Sequence, residues 1–270
     1  MKRIVLIGPG PRFKGGISNY NTSLAIALER TGMCRVNIVS WTQQYPAIIP
    51  RDFLDRKSKT DMLEGTTIKT DYLLNYNNPL SWIKTCRHII AMKPDAVIIQ
   101  WSISVQGLPL GYIIKKLRRA GIRTGLELHN VKQKENSFID SILTRRGVSH
   151  ADFYIVHGQL TIKELKQVFS EQIYDVTEPG QIPSGHGKRI IKLYHPVYDM
   201  FKPLDGFNKD AEKRKLGLKK HVFLFFGFIR KYKGLHDAID AFAKLASKRD
   251  DVSLLIVGES FWQTLDNKKM

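Results

Sequence analysis

Short β-branched runs closed by glycine alternate along the chain with stretches in which apolar residues recur every three or four positions. Lys2–Ile7 is the first run, and Gly8 closes it. Beyond the loop at 9–16, Ile17, Tyr20, Leu24, Ala27 and Leu28 share one helical face, and Gly32 ends that helix. Val36–Val39 reads as the second strand. Ile68–Leu74, Ala96–Trp101, Thr124–Leu128, Phe153–Val156 and Ile190–Leu193 read as five more. Helical spacing covers Leu80–Met92, Leu110–Ala120, Phe138–Arg146 and Thr161–Phe169. Strands that alternate with helices require right-handed crossovers, so the pattern predicts an α/β fold with a mostly parallel, doubly wound sheet. Glu178–Gly187 is rich in Gly and Pro and reads as a surface loop.

The pattern then breaks and restarts. Phe201–Lys220 is polar and charged, contains Pro203 and Gly206, and predicts a linker with one short helix. Val222–Gly227 is strand-like. Leu235, Ala238, Ile239, Phe242, Leu245 and Ala246 form an apolar helix face, and Val252–Val257 is another buried strand closed by Gly258. The expected organisation is a Rossmann-like domain over 1–200, a linker over 201–220, and an incomplete second Rossmann-like domain over 221–270.

Composition narrows the function classes. With 43% hydrophobic and 25% charged residues the chain has globular composition, which excludes wholesale disorder. Cys34 and Cys86 stand far apart outside any CxxC pattern, which argues for a reducing compartment and against a cysteine-built metal site. The longest apolar run, Val222–Ile229, is far short of the ~20 residues that span a bilayer. These features predict a soluble, cytoplasmic protein. The 43 Lys and Arg against 25 Asp and Glu give a net charge of +18, and residues 1–150 carry 23 basic and 10 acidic residues. Such a surface predicts a polyanionic partner: nucleic acid, anionic lipid or a phosphorylated substrate.

Two loops are suited to anion chemistry. Pro9–Gly16 joins a strand to a helix N-terminus, where free backbone N–H groups meet the positive end of the helix dipole. A dinucleotide fingerprint would need a third glycine where Phe13 stands, and a P-loop would need Gly-Lys-Ser/Thr. Gly15-Gly16 remains, either as a place where a ligand approaches the backbone or as a plain tight turn. The second loop is Gly227-Phe228-Ile229-Arg230-Lys231-Tyr232-Lys233-Gly234. Cations at a helix N-terminus oppose the dipole, so an anion explains them better than helix stability does; the alternative is a solvated charged loop.

Five blocks in order resemble the GT-B glycosyltransferases of family 4. They are Gly15-Gly16-Ile17-Ser18, Leu128-His129-Asn130-Val131, Ala151 through His157, His195-Pro196-Val197-Tyr198 leading to Phe201, and Phe226 through Leu235. The resemblance implies two facing Rossmann-like domains and a retaining sugar transfer. The N-terminal domain would bind the acceptor, and the C-terminal one a nucleotide-diphosphate sugar. It implies that Gly15 and Gly16 approach the donor diphosphate, and that His129 lies in the cleft near sugar and acceptor. An imidazole there can donate a hydrogen bond to a sugar hydroxyl or a diphosphate oxygen. Lys233 matches the lysine that neutralises the leaving diphosphate. Arg230 is placed to supply the guanidinium, since Phe228 occupies the family's usual arginine position. His129, Arg230 and Lys233 are thus the expected catalytic groups, and Gly15, Gly16, Arg230 and Lys233 the expected donor contacts.

The resemblance also marks an absence. The family's glutamate pair, seven residues apart, would lie beyond Glu259, which is the last glutamate. The expectation is therefore a C-terminally truncated member, a chain completed by a second polypeptide, or a donor-independent acceptor- or membrane-binding module. No DxD motif and no His/Cys cluster occurs, so no metal or other cofactor is expected. The expected partners are a nucleotide sugar, a glycan or lipid-linked acceptor of polysaccharide or cell-envelope synthesis, and an anionic membrane touched at its inner face. In the helix around Leu110–Ala120, Lys115, Lys116, Arg118 and Arg119 surround an apolar stripe suited to sheet packing. Nucleic acid ranks last, because the cations are not interleaved with aromatics on one element.

Overall fold

A computed structural model describes residues 1–46, 53–56, 61–131, 138–199, 201–227, 229 and 233–258. The chain divides into two compact units, Met1–Met200 and Phe201–Met270. In the first, eight strands form one parallel sheet: β1 (Lys2–Ile7), β2 (Cys34–Gln43), β3 (Lys69–Asn75), β4 (Ala96–Trp101), β5 (Arg123–Leu128), β6 (Phe153–Val156), β7 (Tyr174–Thr177) and β8 (Lys188–Lys192). Their order is β3-β2-β1-β4-β5-β6-β8-β7, so the direction of winding reverses between β1 and β4. Crevices at such a reversal, at the carboxyl ends of the strands, are where open α/β sheets bind ligands.

The helices are α1 (Gly16–Arg30), α2 (Pro79–Met92), α3 (Gly107–Arg119), α4 (Phe138–Val148) and α5 (Gln159–Val168). Successive residues of a strand face opposite sides, and β1 divides accordingly. Val5 and Ile7 join the larger core cluster with Ile89 of α2 and Ile113, Ile114 and Leu117 of α3. Leu6 joins the smaller one with Ala25 of α1, Val36 and Ile38. The stripe Leu110, Ile113, Ile114, Leu117 of α3 is fully buried, while Lys115, Lys116, Arg118 and Arg119 are exposed. The amphipathic pattern of this helix is thus spent on packing.

Two differences from the sequence pattern have simple causes. β7 carries no apolar run because it is a four-residue edge strand paired only with β8. β2 extends to ten residues because Ser40, although polar, is fully buried and turned to a loop backbone.

Glycine sets the approach of α3 to α4. A Cβ on Gly107 would lie 2.1 Å from the Leu143 carbonyl oxygen, and one on Gly111 would lie 2.4 Å from that of Arg146. Gly147 in turn faces the Trp101 ring at 2.3 Å. Only bare backbone fits there, so the separation of the helices is fixed without side-chain choice.

The second unit holds α6 (Lys209–Lys215), β9 (His221–Phe226), α7 (Leu235–Ala246) and β10 (Val252–Val257). Asn208 Oδ1 caps α6 by accepting from the Asp210 and Ala211 N–H groups. β9 and β10 pair in parallel, and Phe242 of α7 meets Phe223 edge-on at 6.1 Å. Phe223, Leu224 and Phe226 nevertheless remain exposed, at 49%, 59% and 75%. Two strands and one helix cannot cover both faces of a sheet.

The α3–α4 contact generates a direct test. Gly107→Ala should destabilise the first unit by ~1–3 kcal/mol through overpacking. Gly158→Ala, where a Cβ meets nothing within 4 Å, should stay within ~0.5 kcal/mol of wild type. Urea denaturation of the two variants makes the comparison.

Candidate functional site

The carboxyl end of β1 leads into a loop held rigid from both sides. The Gly10 N–H donates to Ser40 Oγ at 2.8 Å, Ser18 Oγ donates to the Gly10 carbonyl at 2.6 Å, and Asn21 Nδ2 donates to the Pro9 carbonyl at 3.2 Å. Gly15 then turns the chain into α1 at φ +114°, a conformation that favours glycine. It is the N-cap residue of α1, and no side chain caps the helix. A Cβ at Gly15 or Gly16 would meet nothing within 4 Å. The start of α1 thus carries no side-chain cap and leaves room beside Gly15 and Gly16, as an anion at a helix N-terminus needs.

Beside this loop a carboxylate is buried at the strand ends. Glu127 lies in β5 with no exposure, in register with Gln100 of β4. Its Oε1 accepts from the Tyr20 hydroxyl of α1 and, at 3.0 Å, from His157 Nε2; its Oε2 accepts from Gln100 Nε2 at 2.7 Å. Burial alone would raise the carboxyl pKa. Hydrogen bonds from His157, Tyr20 and Gln100 outweigh it and hold Glu127 below the usual carboxylate range. Burial, followed by the Glu127 charge, pushes the Tyr20 phenol far above its ordinary value, so that hydroxyl remains a donor.

The ionised carboxylate determines what His129 offers. Glu127 can only accept, so the Gln100 amide must turn its NH2 toward it and its Oε1 away. That Oε1 lies 2.7 Å from His129 Nε2, so the imidazole donates there. Burial, then the charges of His157 and His195 against that of Glu127, lower the His129 pKa to about 4. The ring is neutral at pH 7 with its one N–H committed to Gln100. Among the described residues its Nδ1 makes no hydrogen bond and keeps a lone pair. The expected donation to a sugar hydroxyl or diphosphate oxygen is therefore corrected: His129 accepts, which suits a hydroxyl and not a phosphate oxygen.

Aromatic contacts close the cluster. The Tyr20 ring stands edge-on to His129, His157 and His195 at 5.3, 5.2 and 5.9 Å, and His157 stacks on His195 at 4.2 Å. Burial and then the neighbouring His157 depress the His195 pKa, while burial and the Glu127 charge raise that of Tyr198. The His157 Nδ1 atom is buried and unpartnered among the described residues.

Of the residues expected from sequence, Gly15, Gly16 and His129 are gathered at the carboxyl edge of one sheet. Glu127, Gln100 and Tyr20, which organise His129, were not foreseen. A signal existed in two polar residues, Gln100 and Glu127, set within otherwise apolar runs of strands covered on both faces. In the second unit, Gly227 adopts φ +110° after β9, and a Cβ at Gly258 would fall 1.9 Å from the Gly227 carbonyl. Lys233 is exposed immediately before Gly234, the N-cap residue of α7 at φ +69°. Arg230 and Phe228 lie outside the described residues.

Residues 207–269 match the family model described as glycosyl transferases group 1. No curated protein sequence matches the chain. Among solved structures, Anabaena Alr3699/HepE in complex with UDP-glucose is similar at TM-score 0.61 and 16% identity, over 100% of this chain and 64% of that one. An alpha-glucosyltransferase in complex with UDP gives TM-score 0.57 and 13% identity over 96% and 59%, and S. aureus MnaA with UDP gives 0.53 and 15% over 96% and 63%. The chain has the fold of these GT-B structures and spans less than two thirds of their length.

The depressed histidines give a pH dependence of definite sign. Between pH 6.5 and about 4 the unfolded chain protonates His129 while the folded chain does not. Stability therefore falls as pH drops through that window, by about 2 kcal/mol from this ring between pH 7 and pH 5. His195 acts in the same direction. Urea unfolding followed through the buried Trp41 and Trp101 should show this loss, and His129→Gln should reduce it.

Proposed function

We propose that the chain carries the acceptor side and part of the donor side of a retaining glycosyltransferase of family 4, which transfers a sugar from a nucleotide-diphosphate donor. The observation that carries this reading is the match of residues 207–269 to glycosyl transferases group 1. The fold shared with structures that hold UDP or UDP-glucose supports it and favours uridine diphosphate as the nucleotide.

In this reading the N–H groups after Gly15 and Gly16 approach the diphosphate, and Lys233 with Arg230 takes up the charge of the leaving group. That charge grows in the transition state, so preorganised cations lower the barrier. Positive side chains and helix termini then do the work that a divalent metal does elsewhere. His129, held as an acceptor, receives a hydroxyl of the bound sugar or acceptor and so fixes its orientation. A glycan or lipid-linked acceptor at an anionic membrane suits the exposed cations of α3.

UDP or a UDP-sugar at ~1 mM should raise the unfolding temperature of the chain, and Lys233→Ala should weaken that protection by about tenfold in concentration. Absence of a shift with every nucleotide diphosphate sugar at that level would refute donor binding by this chain.

A further inference from the structure

At the edge of the sheet opposite the Glu127 cluster lies an open pocket of about 890 Å3. The opposition follows from the strands themselves. His129 and His157 follow the last residues of β5 and β6, whereas Lys188 is the first residue of β8, and all these strands run in parallel. Arg145, Arg146 and His150 line the pocket at the end of α4, with Lys188 on one side and Phe169, Glu171 and Ile173 on the other.

Some of this charge has a structural use. Helix α4 ends on this face, and cations donate to the two carbonyls that follow it. Arg118 NH1 donates to the His150 carbonyl at 2.9 Å, and Lys188 Nζ donates to that of Ser149 at 2.9 Å and to Tyr154 Oη at 3.3 Å. The rest is in excess of that use. Arg146 and the His150 ring have no hydrogen bond or ion pair among the described residues. The Arg145 guanidinium lies 5.3 Å over the Phe169 ring and only 3.6 Å from Glu171, a loose pair. Of the two acids here, Asp152 is taken by Arg118 at 2.7 Å. Arg118, Arg145, Arg146 and Lys188, with Lys115 beside His150, thus face two carboxylates. The excess of positive charge shifts the groups within it. Burial, then Lys115, Arg118 and Lys188, lower the His150 pKa, and burial, then Arg118, lowers that of Lys188 to about 8.

We propose that this pocket is a second ligand site, which binds an organic phosphomonoester through Arg145, Arg146, His150 and Lys188. Two forked guanidiniums and a part-buried ammonium match the several oxygens and double charge of a phosphoryl group better than a single carboxylate. The volume far exceeds one phosphate, and Phe169 and Ile173 give the ligand body an apolar wall. The site is independent of nucleotide-sugar binding: it lies at the other end of the strands and shares no residue with that reading.

Calorimetric titration of the full chain with inorganic phosphate and glycerol 3-phosphate, at low ionic strength, tests the site. Both should bind below about 10 mM, the ester tighter. The double variant Arg145→Ala, Arg146→Ala removes only exposed side chains and should keep its unfolding temperature while losing at least about tenfold in affinity. The charged or titratable groups around Lys188 are Arg118 from α3, Arg145 and Arg146 from α4, His150, Asp152, Tyr154, Glu171 and Tyr174. The net field is positive and lowers the Lys188 pKa, and the negative charge of a bound dianion raises it again. Binding at pH 8 should therefore take up protons, affinity should fall as pH rises through 8, and Lys188→Met should abolish the uptake. Recruitment to phosphatidic acid vesicles, reversed by phosphate, would assign the ester to a lipid headgroup; tight glycerol 3-phosphate binding without recruitment would assign it to a soluble metabolite. No binding at about 10 mM, or equal binding by the double variant, would overturn the proposal.

Discussion

The candidate site is organised around one buried negative charge. A carboxylate taken out of water is costly unless donors replace the lost hydration, and Glu127 finds three, from Tyr20, Gln100 and His157. These donors come from α1, β4 and the turn after β6, so the charge ties together elements far apart in sequence. Its consequence reaches the surface through Gln100, whose amide can satisfy the carboxylate in only one orientation. That orientation sets the tautomer of His129. A residue that cannot touch a ligand thereby fixes what the neighbouring one presents to it.

Close backbone contact supplies the frame for this charge. Gly107 and Gly111 bring α3 against the carbonyls of α4, and Gly147 receives the Trp101 ring at the carboxyl end of β4. Trp101 adjoins Gln100, and its carbonyl accepts from the His129 N–H at 3.1 Å. The packing of two helices without side chains between them thus bears on the strand end that carries the amide. Gly15 has the complementary role at α1: its positive φ turns the helix so that its first turn is uncapped and open.

The alternation of runs made the doubly wound sheet legible, because parallel strands covered on both faces are apolar along most of their length. β7 was not legible, because an edge strand need not be. Gly15, Gly16 and His129 could be named because each lies where a strand ends. Glu127 escaped notice for a physical reason: burial of a charge is expected to be avoided, and the partners that permit it are 27, 30 and 107 residues distant. Periodicity reports which face a residue takes, and says nothing about which donors other strands bring to that face. The hydrogen-bonding sense of His129 was likewise illegible, since it is set by Gln100 and not by the ring's own neighbours in sequence.

Charge is distributed by the same logic at both edges of the sheet. At the carboxyl edge, strand and helix geometry offers backbone donors and one acceptor imidazole. At the amino edge, helix C-termini collect cations, more of them than the carbonyls there consume. The central claim, that burial holds His129 neutral while the ionised Glu127, acting through Gln100, sets it as the Nε2–H tautomer, is open to direct observation by long-range proton–nitrogen NMR of the histidine rings. At pH 5.5 the account predicts a protonated Nε2 and a bare Nδ1 on His129. An imidazolium or an Nδ1–H tautomer at that pH would contradict it.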